Sequence, residues 1–207
     1  MALTNYGDLK TSIGTWLNRA DLTSYIPDFI RLAEQRIFYG AESPYPSEPV
    51  RVPAMQTRET GSISSSAIAY PTRFLEVIGL SANSGGMAWA LDYVSPVHFT
   101  EQSQGSSVPS VYTFINNTIA TAPTGSASYT LDYYQAFANL SSDADTNWLL
   151  TNVPALYLYG ALIESAPFLG DVPMFTAWTN MYASAVAAAN RTTKKPAGGT
   201  LATRVVT

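Results

Sequence analysis

Hydrophobic and polar positions divide the chain into helical ends and a β-rich middle. Near the N-terminus, apolar residues recur at helical spacing over Thr4–Asn18 and again over about Ser24–Tyr39. This is the pattern of amphipathic helices that each bury one face. Thr4 or Asn5 can cap the first helix, and Gly40 favours an end to the second. The pattern therefore predicts an N-terminal helical hairpin.

Two further helices are predicted between Asn147 and Asn190. Asn152 and Asp171 each precede a Val-Pro pair, which places a capping side chain before a proline in the first helical turn. The first of these helices is apolar on almost every side, so it has to be covered on every side, by its own chain or by neighbouring subunits. The second is apolar on one face, formed by Met174, Trp178, Met181, Tyr182, Ala185 and Ala189. The two helical pairs can cover each other as a four-helix bundle.

The segment 41–53 follows the N-terminal hairpin and contains four prolines. Because proline removes a backbone donor and clashes within helices, the segment cannot be helical. We interpret it as an extended arm that reaches a neighbouring subunit. A plain surface loop is the alternative, although structureless loops of this length are uncommon in compact domains.

The middle of the chain, from about Ala54 to Phe137, shows the alternation and the frequent turns of β structure. Met87, Trp89, Leu91 and Tyr93 alternate with smaller or polar residues, as in a half-buried strand. Asn116-Asn117 favours a tight hairpin, and Ser95-Pro96 can start a short helix. Short strands separated by turns predict an antiparallel sheet or sandwich.

Together these segments predict an α+β fold in which a β region is inserted between two helical pairs. The predicted parts are a helical hairpin (1–40), a proline-rich arm (41–53), an antiparallel β region (54–138), C-terminal helices (139–190) and a flexible basic tail (191–207). The chain lacks cysteine, so thiol chemistry is excluded. The longest apolar run, Val153–Ile163, is too short to span a bilayer, and no membrane association is expected.

Charge is distributed unevenly along the chain. Between Arg73 and Arg191 there are eight acidic residues and no lysine or arginine, whereas the tail from Arg191 carries four cations and no acid. An acidic body repels nucleic-acid phosphates. The tail is either a solvated end or a segment that binds an anionic surface.

Catalytic candidates are few. A Ser-His-Asp triad would need His98, the sole histidine, but no serine lies in a G-x-S-x-G motif. Asp143 and Asp145 could form a carboxylate pair for glycoside hydrolysis or calcium binding, but acids directly before a helix also favour its dipole. No phosphate-binding loop is present. We therefore expect no enzyme activity, no metal and no cofactor.

Aromatic residues are abundant, with 13 tyrosines, 8 phenylalanines and 4 tryptophans. Pairs such as Tyr133-Tyr134 could stack on bases or sugars, but base stacking normally accompanies a basic groove, which the acidic body lacks. Tyrosine and tryptophan are also enriched at protein interfaces. The residues alone therefore favour a non-catalytic protein that binds other proteins.

An ordered series of short motifs resembles the head-to-tail adaptor (connector) proteins of tailed bacteriophages, especially short-tailed ones of the podovirus type. The motifs are Tyr6 and Leu9 ahead of Trp16–Arg19, Ile26–Ile30, Tyr70-Pro71 before Phe74–Glu76, Leu131–Phe137, Asn147–Pro154 and Leu156–Leu162. The series covers almost the whole chain except the tail. The resemblance implies a structural virion protein, made in the host cytoplasm and located at the neck between head and tail.

The resemblance also implies partners. The protein would form a ring, a dodecamer in this class, that joins the portal protein to the tail or nozzle protein. The ring would extend the channel through which dsDNA passes without sequence-specific binding. A carbohydrate- or receptor-binding virion module that uses the tyrosine-rich β region is the alternative function.

Two sets of site residues accompany this interpretation. Portal binding is assigned to the tail, through Arg191, Lys194, Lys195, Pro196, Leu201, Arg204, Val205 and Val206. Contacts with neighbouring subunits or the tail protein are assigned to Tyr45, Pro46, Val50, Arg51, Tyr157, Trp178 and Tyr182. The all-apolar helix and the alanine-rich stretch Ala183–Ala189 would be buried in the ring.

Overall fold

The computed structural model describes residues 3–42, 46–63, 66–102, 107–170 and 172–191. Helices and two β-sheets make up the described residues, which confirms the predicted α+β fold class. The chain forms two compact units. A helical unit comprises Met1–Ala54 with Ala138–Thr207, and a β unit comprises Met55–Phe137.

The described residues contain six α-helices and two short 3-10 helices. The α-helices are α1 (Tyr6–Leu17), α2 (Ile26–Tyr39), α3 (Pro96–Gln102), α4 (Trp148–Asn152), α5 (Pro154–Leu169) and α6 (Val172–Arg191). The 3-10 helices are Ala20–Tyr25 and Pro53–Met55. All of them except α3 lie wholly or mainly in the helical unit.

The N-terminal hairpin has the predicted ends. Asn5 caps α1, where its side-chain oxygen accepts a hydrogen bond from the Asp8 amide at 2.8 Å. Gly40 ends α2 with φ of 76°, a conformation that glycine adopts without steric cost. The amides of Tyr6 and Gly7 donate to the carbonyls of Asp145 and Asp143, so the α1 terminus is also satisfied by the C-terminal part of the chain.

The predicted cap of the all-apolar helix is wrong. Asn147 caps a separate short helix, α4, where its side-chain oxygen accepts from the Leu150 amide at 2.9 Å. Asn152 is the last residue of α4, and its side-chain amide donates to the Trp148 carbonyl. Helix α5 then begins at Pro154 without a side-chain cap. Asp171, the other predicted cap, lies outside the described residues.

Helix α5 is covered by its own chain. It packs against α1, α2, α4 and α6, and Leu156, Tyr157 and Leu162 are fully buried. Gly160 allows close approach to α2, because a Cβ there would lie 3.0 Å from the Ala33 Cβ. Of the two kinds of cover that the sequence left open, the same chain supplies most of it, through four helices of the same unit.

The β unit contains two four-stranded sheets. Its strands are β1 (Gln56–Ile63), β2 (Ala67–Ala69), β3 (Phe74–Ser84), β4 (Met87–Ala90), β5 (Asp92–Tyr93), β6 (Val111–Ile115), β7 (Thr118–Ala122) and β8 (Ala127–Gln135). One sheet has the order β1-β8-β3-β4 and the other β2-β7-β6-β5. Every pair is antiparallel except β5 with β6, which is parallel.

The sheets enclose a shared apolar core. Leu80 and Leu131 from one sheet and Ile68 and Ile119 from the other belong to a single buried cluster. The predicted hairpin joins β6 and β7, with positive φ at both Asn116 and Asn117, as a two-residue type I′ turn requires. The predicted sandwich is therefore present, with one parallel pair that the alternation pattern did not indicate.

Candidate interaction surfaces

The described part of the proline-rich segment is anchored to its own unit. Val50 and Val52 are fully buried, and the Val50 amide donates to the Ile37 carbonyl. The Arg51 amide donates to the Asn190 side-chain oxygen at 2.9 Å, and the Arg51 guanidinium donates to backbone carbonyls of the same unit. Residues 46–53 thus connect the end of α2 to the end of α6.

Most of the aromatic residues predicted at subunit interfaces lie in the core. Tyr157, Trp178 and Tyr182 are at most 3% exposed, and burial raises the pKa of both tyrosine hydroxyls above the usual range. Together with Val50, they are covered within a single chain. Pro46 is exposed and Arg51 half-buried, whereas Tyr45 lies outside the described residues. An interface formed by this set stays a prediction.

The predicted portal-binding tail begins where the described residues end. Arg191 is exposed at the last position of α6. The preceding residue, Asn190, donates to the Pro49 carbonyl at 3.1 Å, so the root of the tail lies beside the proline-rich segment. Lys194, Lys195, Pro196, Leu201, Arg204, Val205 and Val206 lie outside the described residues, and their role stays a prediction.

The weighed catalytic residues have ordinary local partners. Asp143 forms an ion pair with Lys10 at 2.6 Å. Asp145 accepts from the Ser141 and Ser142 amides, which hold the pKa of its carboxyl below the usual range. His98 is exposed on α3, with Glu101 3.5 Å away. No cluster of three metal-ligating side chains occurs within the described ranges.

Helix α6 presents a long exposed face without charge. Residues 172–190 contain no Asp, Glu, Lys or Arg. Trp178, Tyr182 and Val186 point into the unit, whereas the opposite face exposes Met181, Ala183, Ser184, Ala187 and Ala188. We call these five residues the α6 outer face. The predicted alanine-rich stretch is therefore exposed at Ala183, Ala187 and Ala188 but buried at Ala189. The periodicity of the sequence did not distinguish the exposed alanines from the buried one.

A second exposed apolar region lies along α2 and at the end of α5. Phe168, 52% exposed, has its ring centroid 5.8 Å from that of Tyr25. Farther along, a groove of about 350 Å³ is lined by Leu32, Tyr39 and the ion pair between Arg36 and Glu164, whose nearest atoms lie 2.7 Å apart. The pair is mostly buried, at 14% and 19% exposure. Apolar residues around a shielded polar pair are typical of protein-binding surfaces.

The β unit has an aromatic cleft of about 310 Å³. Its lining residues are Tyr70, Leu75, Glu76, Val77, Tyr93, Tyr112 and Phe114. The rings of Tyr93, Tyr112 and Phe114 lie within 5.8 Å of one another, centroid to centroid. Sequence reasoning noted the abundance of tyrosine but did not identify this cluster, because its members come from separate strands.

None of the described helices combines the length and the apolar character needed to cross a bilayer. The uncharged α6 outer face and the exposed apolar residues beside the groove are features of a class of proteins that contact other proteins. A family comparison agrees with this class. The family model described as SU10 adaptor protein matches residues 4–204.

The chain therefore belongs to the SU10 adaptor protein family. It is a phage adaptor and a structural component of the virion, which confirms the resemblance found in the sequence. A search of curated proteins found no match.

Proposed function

We propose that the protein forms a ring that joins the portal to the tail or nozzle protein and extends the DNA channel. Membership of the adaptor family supports contacts with portal and tail proteins. The ring, its dodecameric state and the short-tailed type of the phage are implied by the resemblance of the sequence to head-to-tail adaptors.

The observation that carries the proposal is the α6 outer face. A helix of 20 residues is about 30 Å long, and this one exposes alanine and methionine along its outer side where charged residues would be typical. Small side chains allow helices to approach closely, so the face suits contact with another helix. A ring needs two different complementary faces on each subunit, and the groove at Leu32 and Tyr39 offers a second one.

Charge supports passage of DNA. The eight acids between Arg73 and Arg191, an interval without lysine or arginine, oppose tight binding of phosphates. DNA can then move through the ring without being held. Because the body is acidic and the tail from Arg191 onward is basic, the tail is the segment suited to dock on another ring. We assign portal binding to it.

The test combines the purified chain with purified portal rings in sedimentation velocity and cryo-EM class averages. We expect joint sedimentation and a second ring below the portal. Deletion of residues 192–207 should abolish joint sedimentation while circular dichroism stays unchanged. Unchanged sedimentation of the deleted chain with portal would overturn the assignment of the tail.

The α6 outer face is tested by A183E combined with A187E. Both positions are exposed, so the variant should fold, but two carboxylates in a helix contact should prevent the ring. The control is T11E combined with T15E, which adds the same two charges at the same spacing on an exposed face of α1. Rings formed equally by both variants would contradict the proposed contact.

A further inference from the structure

We propose that the aromatic cleft of the β unit binds an extended, cationic, proline-containing segment of another protein. The inference goes beyond ring formation, and the isolated full-length chain can test it. It rests on the arrangement of the rings, on how the strands expose them, and on the charge of the walls.

The exposed rings hold one another in place. Tyr112 meets Phe114 at an interplanar angle of 81° and Tyr93 at 65°, with centroids 5.8 Å apart in both pairs. Tyr70 meets Phe114 at 71°. Edge-to-face contacts of this kind are favourable. These contacts leave Tyr93 55% exposed and Phe114 36% exposed. The exposed rings are large apolar surfaces. Because they are already held in place, they lose little conformational freedom when a ligand binds.

The strands place these rings on the outside. On β6, the buried residues Val111 and Thr113 alternate with Tyr112 and Phe114, so the aromatic pair occupies the face where polar residues are normal. The parallel register of β5 sets Tyr93 opposite Tyr112. On β3, register irregularities interrupt the pairing with β8 on either side of Glu76 and Val77, and such bulges often redirect side chains at functional sites.

The charge of the walls favours a cationic ligand. The acidic side chain among the residues that line the cleft is Glu76. Among the described residues that line the cleft there is no lysine or arginine, so a phosphate or carboxylate ligand would have no counter-charge. A lysine or arginine side chain would meet both an acid and the faces of aromatic rings, which attract cations.

The shape favours an extended backbone. Grooves lined by aromatic rings bind polyproline II segments, because such segments are already extended before binding and lose little entropy. Tyr112 stands at 65° to Tyr93 and at 81° to Phe114, so these rings do not form a flat platform. This geometry suits the ridges of a proline-rich segment better than the flat face of a sugar ring.

The experiment titrates the full-length chain with the labelled peptide Pro-Pro-Arg-Pro-Pro-Lys-Pro and follows fluorescence anisotropy and aromatic NMR shifts. We expect saturable binding that weakens with salt, and shifts at Tyr93 and Phe114. Y93A and F114A should each weaken binding about tenfold or more. The control M87A removes another exposed apolar side chain of the same unit and should leave binding unchanged.

Two matched probes test whether the cleft requires a cationic peptide. A peptide with glutamate in place of arginine and lysine should not bind, and neither should the neutral sugar cellohexaose. Equal binding of the acidic peptide, or no binding of the cationic one, would overturn the proposal. Saturable binding of cellohexaose at the same rings without peptide binding would replace it with a carbohydrate site. A failure of ring formation in the portal experiment would leave these results unaffected.

Discussion

The two units differ in where the aromatic residues considered for binding lie. In the helical unit, Tyr157, Trp178 and Tyr182 fill the core around α5. In the β unit, Tyr93 and Phe114 remain at the surface of an open cleft. The difference teaches that aromatic abundance does not by itself locate an interface. Burial of rings is not a property of either unit as a whole, since Tyr39 and Phe168 are exposed in the helical unit whereas Tyr129 and Tyr133 are buried in the β unit.

The units also differ in how they bury polar groups. In the helical unit, the buried carboxylate of Glu34 accepts from the Leu140 amide at 3.1 Å and from the Tyr157 hydroxyl. Asn147 donates to the same hydroxyl at 2.8 Å, so α2, α4 and α5 share one network. In the β unit, the hydroxyls of Thr113 and Thr121 are buried without a hydrogen-bond partner. The hydroxyls of Ser47 and Tyr182 in the helical unit are also buried without a partner, so the contrast between the units rests on the network around Tyr157.

The largest effect is expected for Y157A. Removing this fully buried ring leaves a cavity and takes a partner from Glu34 and Asn147, so the free energy of unfolding should fall by about 3–5 kcal/mol. Urea unfolding followed by circular dichroism measures it. Y39A, which removes the same side chain at a position 71% exposed, should change stability by less than about 0.5 kcal/mol. Equal losses would contradict the contrast between core and surface.

A smaller effect is expected for G160A. The new Cβ would lie 3.0 Å from that of Ala33, so α2 and α5 must separate slightly, at a cost of about 1–3 kcal/mol. The matched change G79A, in β3, meets no atom within 4 Å and should be neutral or stabilising by up to about 1 kcal/mol. Differential scanning calorimetry compares the two. A neutral G160A would show that the helical contact is looser than described.

E34Q should alter the pH dependence of stability. Burial raises the pKa of Glu34 above its usual range, so the folded state binds the proton more tightly than the unfolded chain does. Its contribution is therefore present at low pH and is lost as pH rises through the raised pKa. Relative to E34Q, the wild-type protein should lose stability in urea unfolding as pH rises from the usual glutamate range through the raised pKa. Asp145, whose pKa is lowered, has the opposite effect but is common to both proteins. Parallel curves would contradict the prediction.

The smallest effect is expected for Y93A. Because the ring is more exposed than buried, its removal should change the free energy of unfolding by less than about 0.5 kcal/mol, although peptide binding should be lost. Thermal unfolding followed by near-UV circular dichroism measures the stability. A loss comparable to that of Y157A would mean that the cleft is part of the core and not a binding surface.

The adaptor family was recognisable from the order of short motifs, although no single motif is catalytic or diagnostic. The candidate surfaces were harder to predict from the sequence. The α6 outer face was visible as an alanine-rich stretch, but the aromatic cleft joins β3, β5 and β6, which are distant in sequence. A binding surface assembled from separate strands leaves no local signal, because strand order is decided by pairing and not by spacing along the chain.

The sequence by itself determined the local structure. Helical spacing located α1, α2, α5 and α6, Gly40 ended α2, and Asn116-Asn117 formed the hairpin. These features depend on neighbouring residues, through backbone preferences and side-chain period. Tertiary structure decided which surfaces are covered. It enclosed α5 within one chain, placed Asn152 at the end of a separate short helix instead of at the cap of α5, and set β5 parallel to β6. Burial is a property of what packs against a residue, and only the folded chain supplies those neighbours.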